Sequence, residues 1–419
     1  MLSKNMYKFS LMDADTAIQM AHLQINAYPA IGYTATPEAF AERIKEIVNS
    51  PDVNFYNAYD SDDVLVGGFN IWDFEMNLRQ TMIRAGGIGS VAVDLCRKKE
   101  KVCKDIVEYF IQSLRANGVN MALLYPFNPA FYHKMGFGNG TLLQQFRIKP
   151  EDLPAGNSKS RIVKLNEDHA DALTDFYNSH AKSTHGLISK TSTEFAKRLK
   201  APPNKIFAYM DDKIRGYIVF QFKKGSEESF LVNDIVVSEL LFDSPEVFAE
   251  LMAFIKSQSD QIRYVIINTQ DEGLFNAIPD PRNHMERILF SVYQECCRTG
   301  LGIMYRICDI RGFFTDIANC RFGNLTTKLQ LNVNDTFVAD NNGELLLEFI
   351  NGQCKIVDGV TPDVELSIDI AELSSLVMGC VNLKQLVRYG KAKVSDVAWL
   401  DALSCGFYLD EKPVCLSYF

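Results

Sequence analysis

Residues 90–102, SVAVDLCRKKEKV, carry a β-branched run straight into a knot of positive charge and then an amphipathic helix. A strand that runs into a helix N-terminus brings unpaired N–H groups and the positive end of the helix dipole together, which suits a phosphate. Arg97, Lys98, Lys99, Lys101 and Lys104 would add charge-assisted contacts there. The simpler reading is a solvated helix start, although lysines at that place oppose the dipole. A second group, NPAFYHKMGFG (residues 128–138), sets the Tyr132 phenol and the His133 imidazole before a glycine-aromatic-glycine turn. Tyr132 can carry a transferable proton or only pack as a buried aromatic. The third is KPVCLSYF (residues 412–419), an apolar, aromatic end after Pro413 that is expected to dock, at least as a plug sealing the core.

The elements that would position these groups come in two echoing series. AYDSDDVLVGGFNI (residues 58–71) is matched by AYMDDKIRGYIVF (residues 208–220), each reading as strand, acidic turn, strand. The first copy leads into GGIGSVAVD, a helix with Val102, Ile106, Phe110 and Leu114 on one face, and the strand VNMALLYPF. The second leads into FLVNDIVVSELL, a helix over residues 245–255, and the strand RYVIINT. EDLPAGNSKS (residues 151–160) reads as the linker between them. The last third differs: an Asn-Gly-rich hairpin (residues 339–359), the strand DVELSIDI and short helices ending at Gly379 and Gly390 form a separate α+β domain.

Composition narrows the class. With 419 residues, 47% hydrophobic and 23% charged, the chain is ordinary globular material with room for two to four domains. No apolar run approaches the roughly 18 residues a membrane span needs, and MLSKNMYKF lacks a signal-peptide core, so the expectation is a cytoplasmic protein without membrane contact. Ten cysteines without CxxC spacing suggest neither a metal site nor a disulfide framework. A net charge of −9 argues against a nucleic-acid partner. GxSxG, HExxH and Walker patterns are absent, and GGIGS (residues 86–90) precedes a strand, so its glycines read as a bulge or close backbone approach.

The first series resembles a GNAT N-acetyltransferase, and the whole chain resembles the Eis (enhanced intracellular survival) type: MYRICDIRGFF (residues 304–314) is similar to the opening of the third domain there. DGVTPDVELSIDIAELSSLVMG (residues 358–379) is similar to its sterol-carrier-protein fold. The fold class that follows is mixed α/β, with two tandem GNAT-like sheets and a smaller α+β domain. The expected divisions are 1–152 for the acetyltransferase, 153–288 for a degenerate copy and 289–419 for the domain that delivers the C-terminus. In the family signature, Arg or Gln is followed by two residues, Gly, one residue, then Gly or Ala. One register here offers Lys98, Lys101 and Cys103, and the other Arg97, Glu100 and Val102, so neither supplies a glycine. The second series has VVSELLFDSPE at the equivalent loop and is expected to be silent.

The resemblance implies acetyl-CoA as co-substrate and direct attack by a primary amine, with no covalent enzyme intermediate. Val91, Ala92 and Val93 would orient the thioester, Lys98, Lys99, Lys101 and Cys103 would lie along the cofactor, and no metal would take part. Tyr132 would be the general acid and the Phe419 α-carboxylate the general base; His133, by its own chemistry, is an alternative acid or base or simply a surface residue. It also implies a small amine or polyamine acceptor and a homo-oligomer, trimer or hexamer. The alternative is a degenerate scaffold with impaired coenzyme A binding that serves as a ligand-binding or assembly protein; the missing glycine supports it.

Overall fold

The computed structural model describes residues 6–32, 36–48, 52–154, 156, 158–285 and 288–419. The chain opens with β1 (Lys8–Leu11), α1 (Ala17–Ala27), α2 (Pro29–Gly32), α3 (Pro37–Val48), β2 (Val53–Tyr59), β3 (Leu65–Leu78) and β4 (Thr81–Val93). Next come α4 (Val102–Ala116), β5 (Met121–Leu124), α5 (Pro129–His133) and β6 (Gly138–Asn139). α4 is helical because Val102, Ile106, Phe110 and Leu114 recur every fourth residue, and all four are buried against β3 and β4. Each such side chain contributes about 1.5–3 kcal/mol by leaving water.

The middle of the chain holds β7 (Leu143–Ile148), β8 (Ile162–Lys164), α6 (Ala170–Ala181), α7 (Ser192–Lys200), β9 (Lys205–Met210) and β10 (Ile214–Lys224). β11 (Asn233–Phe242), α8 (Pro245–Lys256), β12 (Ile262–Thr269) and α9 (Leu274–Ala277) follow, then β13 (Ile288–Phe290), β14 (Tyr293–Gln294) and β15 (Cys297–Gly300). The last part consists of β16 (Met304–Ile307), α10 (Ile310–Asp316), β17 (Thr327–Asn334), β18 (Gly343–Ile350), β19 (Gln353–Ile356) and β20 (Val364–Asp369). α11 (Ile370–Val377), α12 (Leu383–Arg388), β21 (Ala392–Val394) and α13 (Leu400–Phe407) complete it. α11 and α12 end near Gly379 (φ +68°) and Gly390 (φ +69°), the left-handed turns expected there. No helix among the described residues is long and apolar enough to cross a membrane.

Two seven-stranded mixed sheets result, ordered β1-β2-β3-β4-β5-β16-β6 and β15-β7-β12-β11-β10-β9-β8, with a five-stranded sheet β19-β18-β17-β20-β21. Strand pairing departs from the expected divisions at 152/153 and 288/289. β7 pairs with β12 and β15 in the second sheet, while β16 pairs with β5 and β6 in the first. Residues up to 140, 303–410 and 417–419 form one compact unit, and 141–302 with 411–416 another. The physical reason is that a short strand such as MYRI, buried at all four positions, carries no local mark of its partner. Residues 155 and 157 of the expected linker lie outside the described residues.

Within the first unit, α11 is buried along its whole length. Its Ser374 Oγ accepts from the Ile307 N–H (3.0 Å), and Ser375 Oγ donates to the Asn139 carbonyl (2.9 Å). The five-stranded sheet and the β5-β16-β6 end of the first sheet thereby belong to one packed body.

Candidate active site

The β3–β4 ribbon builds the centre of the site. Gly68 faces Ala92 and Asn70 faces Gly89, so β4 spends one residue more than β3 between those pairs. The surplus is a β-bulge at Ser90 and Val91, with Ser90 at φ +52°. β4 pairs with β5 only from Gly86 to Ile88. Beyond Ile88, residues 89–93 have no strand partner on that side among the described residues. The Asp94 N–H bonds the Val66 carbonyl (2.9 Å), so by alternation the Val93 N–H and C=O point to the free edge. Tyr28, the residue after α1, donates from Oη to the Val91 carbonyl (2.8 Å).

The free edge runs into the basic loop. Asp94 Oδ1 accepts from the Cys96 N–H (2.7 Å), and Arg97 pairs with Asp60 (2.6 Å) and Glu100 (3.5 Å). Arg97 is therefore spent on the loop's own structure. Lys99 and Lys101 lie at φ +71° and +68°, the left-handed conformation glycine adopts freely and other residues hold at about 1–2 kcal/mol each. Lys98, Lys99 and Lys101 are exposed, make no ion pair among the described residues, and leave the first N–H groups of α4 without a side-chain cap. Val102 is instead buried and points under Gly67. The loop thus makes its left-handed turns without glycine, at Lys99 and Lys101, whose side chains are exposed. Backbone N–H groups, a helix N-terminus and three unpaired lysines fit a diphosphate.

Across the free edge stands Tyr132. α5 is started by Asn128, whose Oδ1 accepts from the Phe131 N–H (3.2 Å), with Pro129 in its first turn. It is closed by Gly136 at φ +83°, where a Cβ would collide with the Arg306 guanidinium. Arg306 is fully buried, pairs with Asp335 (2.6 Å) and donates to the Met135 carbonyl (2.5 Å). That buried pair fixes the turn and thereby α5. Tyr132 is 3% exposed and its hydroxyl neighbours the Cys103 thiol on α4. Burial, then the neighbouring Cys103 and Tyr28, pushes the phenol well above its ordinary value. Burial also pushes the Cys103 thiol up to about 11, against the pull of Tyr132 and Lys98. His133 faces away to Glu372 on α11 (3.0 Å) and is not joined to this group.

The opposite face of β4 receives the C-terminus. Gly86 faces Leu114 of α4, whereas a Cβ on Gly87 would lie 2.7 Å from the Phe419 ring, and one on Gly89 2.7 Å from the Phe419 carboxyl carbon. The glycines of GGIGS admit the last residue directly onto the strand, a close backbone approach as their position suggested. The Phe419 ring contacts Phe74 (5.0 Å between centroids) and Tyr125 (5.3 Å), and Tyr125 Oη donates to the Ser417 carbonyl (3.0 Å). Asn70 lines the same spot, giving Nδ2 to Ser90 Oγ (3.2 Å) and taking Trp72 Nε1 on Oδ1 (3.1 Å).

The structure therefore brings Val91, Val93, Cys103 and Tyr132 together at the free edge, sets Phe419 on the other face, and leaves Lys98, Lys99 and Lys101 at the helix start. Ala92 is buried opposite Gly68 and serves the strand. Sequence reasoning missed Tyr28, Asn70 and Tyr125, which carry no motif, and the specific use of Gly87 and Gly89. The second unit repeats the bulge: Val219 faces Glu239 and Phe220 faces Val237, leaving Ser238 over. Beside that bulge Glu239 is buried with Lys190 (3.1 Å), Tyr217 (2.7 Å) and Arg198. A caged charge lies beside this bulge, and the segment that follows, FDSPE, carries no basic cluster.

Residues 9–140 and 186–307 each match an acetyltransferase (GNAT) domain, and residues 315–416 match a sterol carrier protein domain. An uncharacterized N-acetyltransferase of Streptomyces coelicolor is 20% identical over 369 residues, covering 84% of this chain and 85% of the relative. A probable N-acyltransferase of Enterococcus faecalis has the same fold, with TM-score 0.81, 19% identity and 99% of both chains covered. Eis1 of Mycobacterium abscessus also has it, with TM-score 0.77, 15% identity, and 99% of this chain and 100% of that one covered.

Proposed function

From a chain that carries two GNAT acetyltransferase domains and a sterol carrier protein domain, we propose an Eis-like enzyme that moves an acetyl group from acetyl-CoA to a primary amine by direct attack. The observation that carries the proposal is the free edge of β4, with a phenol on one side and the chain's terminal carboxylate on the other face. Acetyl-CoA supplies the activated thioester and the thiolate leaving group.

The chain supplies the rest. The Val93 backbone offers one N–H and one C=O to an extended arm, and the bulged Val91 backbone is placed to orient the thioester carbonyl. Lys98, Lys99 and Lys101 and the α4 N-terminus take the phosphates. Tyr132 stays protonated and donates to the departing sulfur. The Cys103 thiol, pushed to about 11 in the same surroundings, supports the match: a thiolate released there is a stronger base than in water. The Phe419 carboxylate draws the ammonium form of the acceptor and takes the proton whose loss frees the lone pair for attack; the second proton, lost from nitrogen as the amide forms, balances the one Tyr132 gives to sulfur. Holding both reactants in place accounts for much of the rate.

The scaffold reading keeps one specific support, the lack of a signature glycine in either register, Lys101 and Cys103 or Glu100 and Val102. The outward lysines and left-handed turns of the loop weigh against it. Calorimetric titration with acetyl-CoA, followed by thiol release on adding an amine, tests the proposal: binding and amine-dependent release are expected, and failure to bind the thioester would leave only the scaffold.

A further inference from the structure

The terminal carboxylate sits in a row of aromatic rings. Asn70, Trp72 and Phe74 alternate along one face of β3, opposite Gly89, Gly87 and Ala85 of β4. The rings run on from there: Trp72 to Phe74 at 6.2 Å between centroids, Phe74 to Phe419 at 5.0 Å, Phe419 to Tyr125 at 5.3 Å and Tyr125 to Tyr418 at 5.7 Å. Rings of a core are sealed, and these are not. Trp72, Phe74, Tyr125 and Phe419 are half-buried, and Tyr418 is 67% exposed. Among the described residues of the row the formal negative charge is that of Phe419; Asn70 adds an amide and the tyrosines hydroxyls.

We propose that this row is the acceptor subsite and that it selects a primary amine with a single positive charge on a short chain attached to a planar aromatic body. The inference deepens the transferase reading and rests on it for the amine's reaction. Ring faces accept a flat apolar body by offset or edge contacts and favour a nearby cation. The carboxylate then fixes the ammonium end beside the bulge. A polycation fits worse, because it offers the rings no flat apolar body and its further ammonium groups meet no second carboxylate among the described residues of the row.

Calorimetric titration of the full chain with 2-phenylethylamine and with spermidine tests the subsite without any turnover. The aryl amine is expected to bind at least about ten-fold more tightly. Phe74→Leu, which keeps an apolar side chain and so the fold, is expected to weaken the aryl amine about five-fold or more and to leave spermidine unchanged, and exposed Tyr418→Ala to act in the same direction. Equal or tighter binding of spermidine, or an unchanged aryl affinity in both variants, overturns the inference. Thiol release with acetyl-CoA separates the two readings. Tight aryl binding without its acetylation strikes the transferase reading and leaves the subsite standing; preferred acetylation of spermidine does the reverse.

Discussion

Phe419 lies directly on Gly89: a Cβ there would approach within 2.7 Å of the terminal carboxyl carbon and 3.1 Å of a Phe419 oxygen. Gly89→Ala is therefore expected to push the carboxylate off the strand while leaving the opposite face, with Tyr132 and Cys103, intact. The thiol-release assay is expected to show kcat lowered about 10–100-fold at unchanged acetyl-CoA affinity, since a displacement of about 1 Å has that cost. An unchanged kcat would show that the carboxylate's position does not matter.

Tyr132 is buried against Cys103 and keeps its proton. Tyr132→Phe removes the donor without changing ring packing against Phe127, Phe131 and Phe137. A fall in kcat of about 10²–10⁴-fold at constant acetyl-CoA affinity is expected for a lost general acid. A variant as fast as the unmodified protein would return Tyr132 to a packing role.

Lys98, Lys99 and Lys101 are exposed and without ion-pair partners among the described residues. Replacing all three by Ser is expected to weaken acetyl-CoA binding about ten-fold or more at low salt and to flatten its dependence on ionic strength. Folding should be unaffected, because none of the three side chains caps or packs the helix start; Lys99 and Lys101 would each keep a left-handed backbone. Unchanged affinity would mean that backbone groups alone hold the phosphates.

The pair His133 and Glu372 ties α5 to α11 and gives stability a pH dependence. The hydrogen bond to Glu372 holds His133 above its ordinary 6.5, against partial burial. Its contribution is therefore complete below pH 6.5 and lost as the pH rises through the higher folded value. Burial pushes Glu372 up, but the hydrogen bond and charge of His133 outweigh it and hold the carboxylate below 4.5, so its contribution is lost as the pH falls through that lower value. Urea midpoints are expected to decline above pH 6.5 in the unmodified chain and to decline less in His133→Gln. Parallel curves would remove the pair from the account.

Periodic and terminal features were the legible ones. The fourfold spacing of Val102, Ile106, Phe110 and Leu114 marked α4 and its buried face. The repeated strand-turn-strand pattern marked both large sheets, and an aromatic end after Pro413 marked a docked tail. What stayed hidden depends on pairing at a distance. Nothing in MYRI says that it closes the first sheet beside β5, nor in LQQFRI that it joins the second. Tyr28 and Asn70 act by single contacts to the bulge, and no spacing rule marks one hydroxyl or one amide. The basic loop was misleading in one respect: Lys99 and Lys101 hold left-handed turns whose usual sign is glycine, a strain that only the backbone reveals.

The claim on which the rest depends is that the α-carboxylate of Phe419 works beside the β4 bulge. Appending two glycines moves that charge away while keeping the Phe419 ring available to Phe74 and Tyr125. The decisive measurement is kcat for amine acetylation by the extended chain, with acetyl-CoA affinity determined on the same protein. Affinity within about two-fold of the unmodified chain and a kcat lowered about 10²-fold or more are expected; an extended chain that acetylates amines at the unmodified rate would contradict the account.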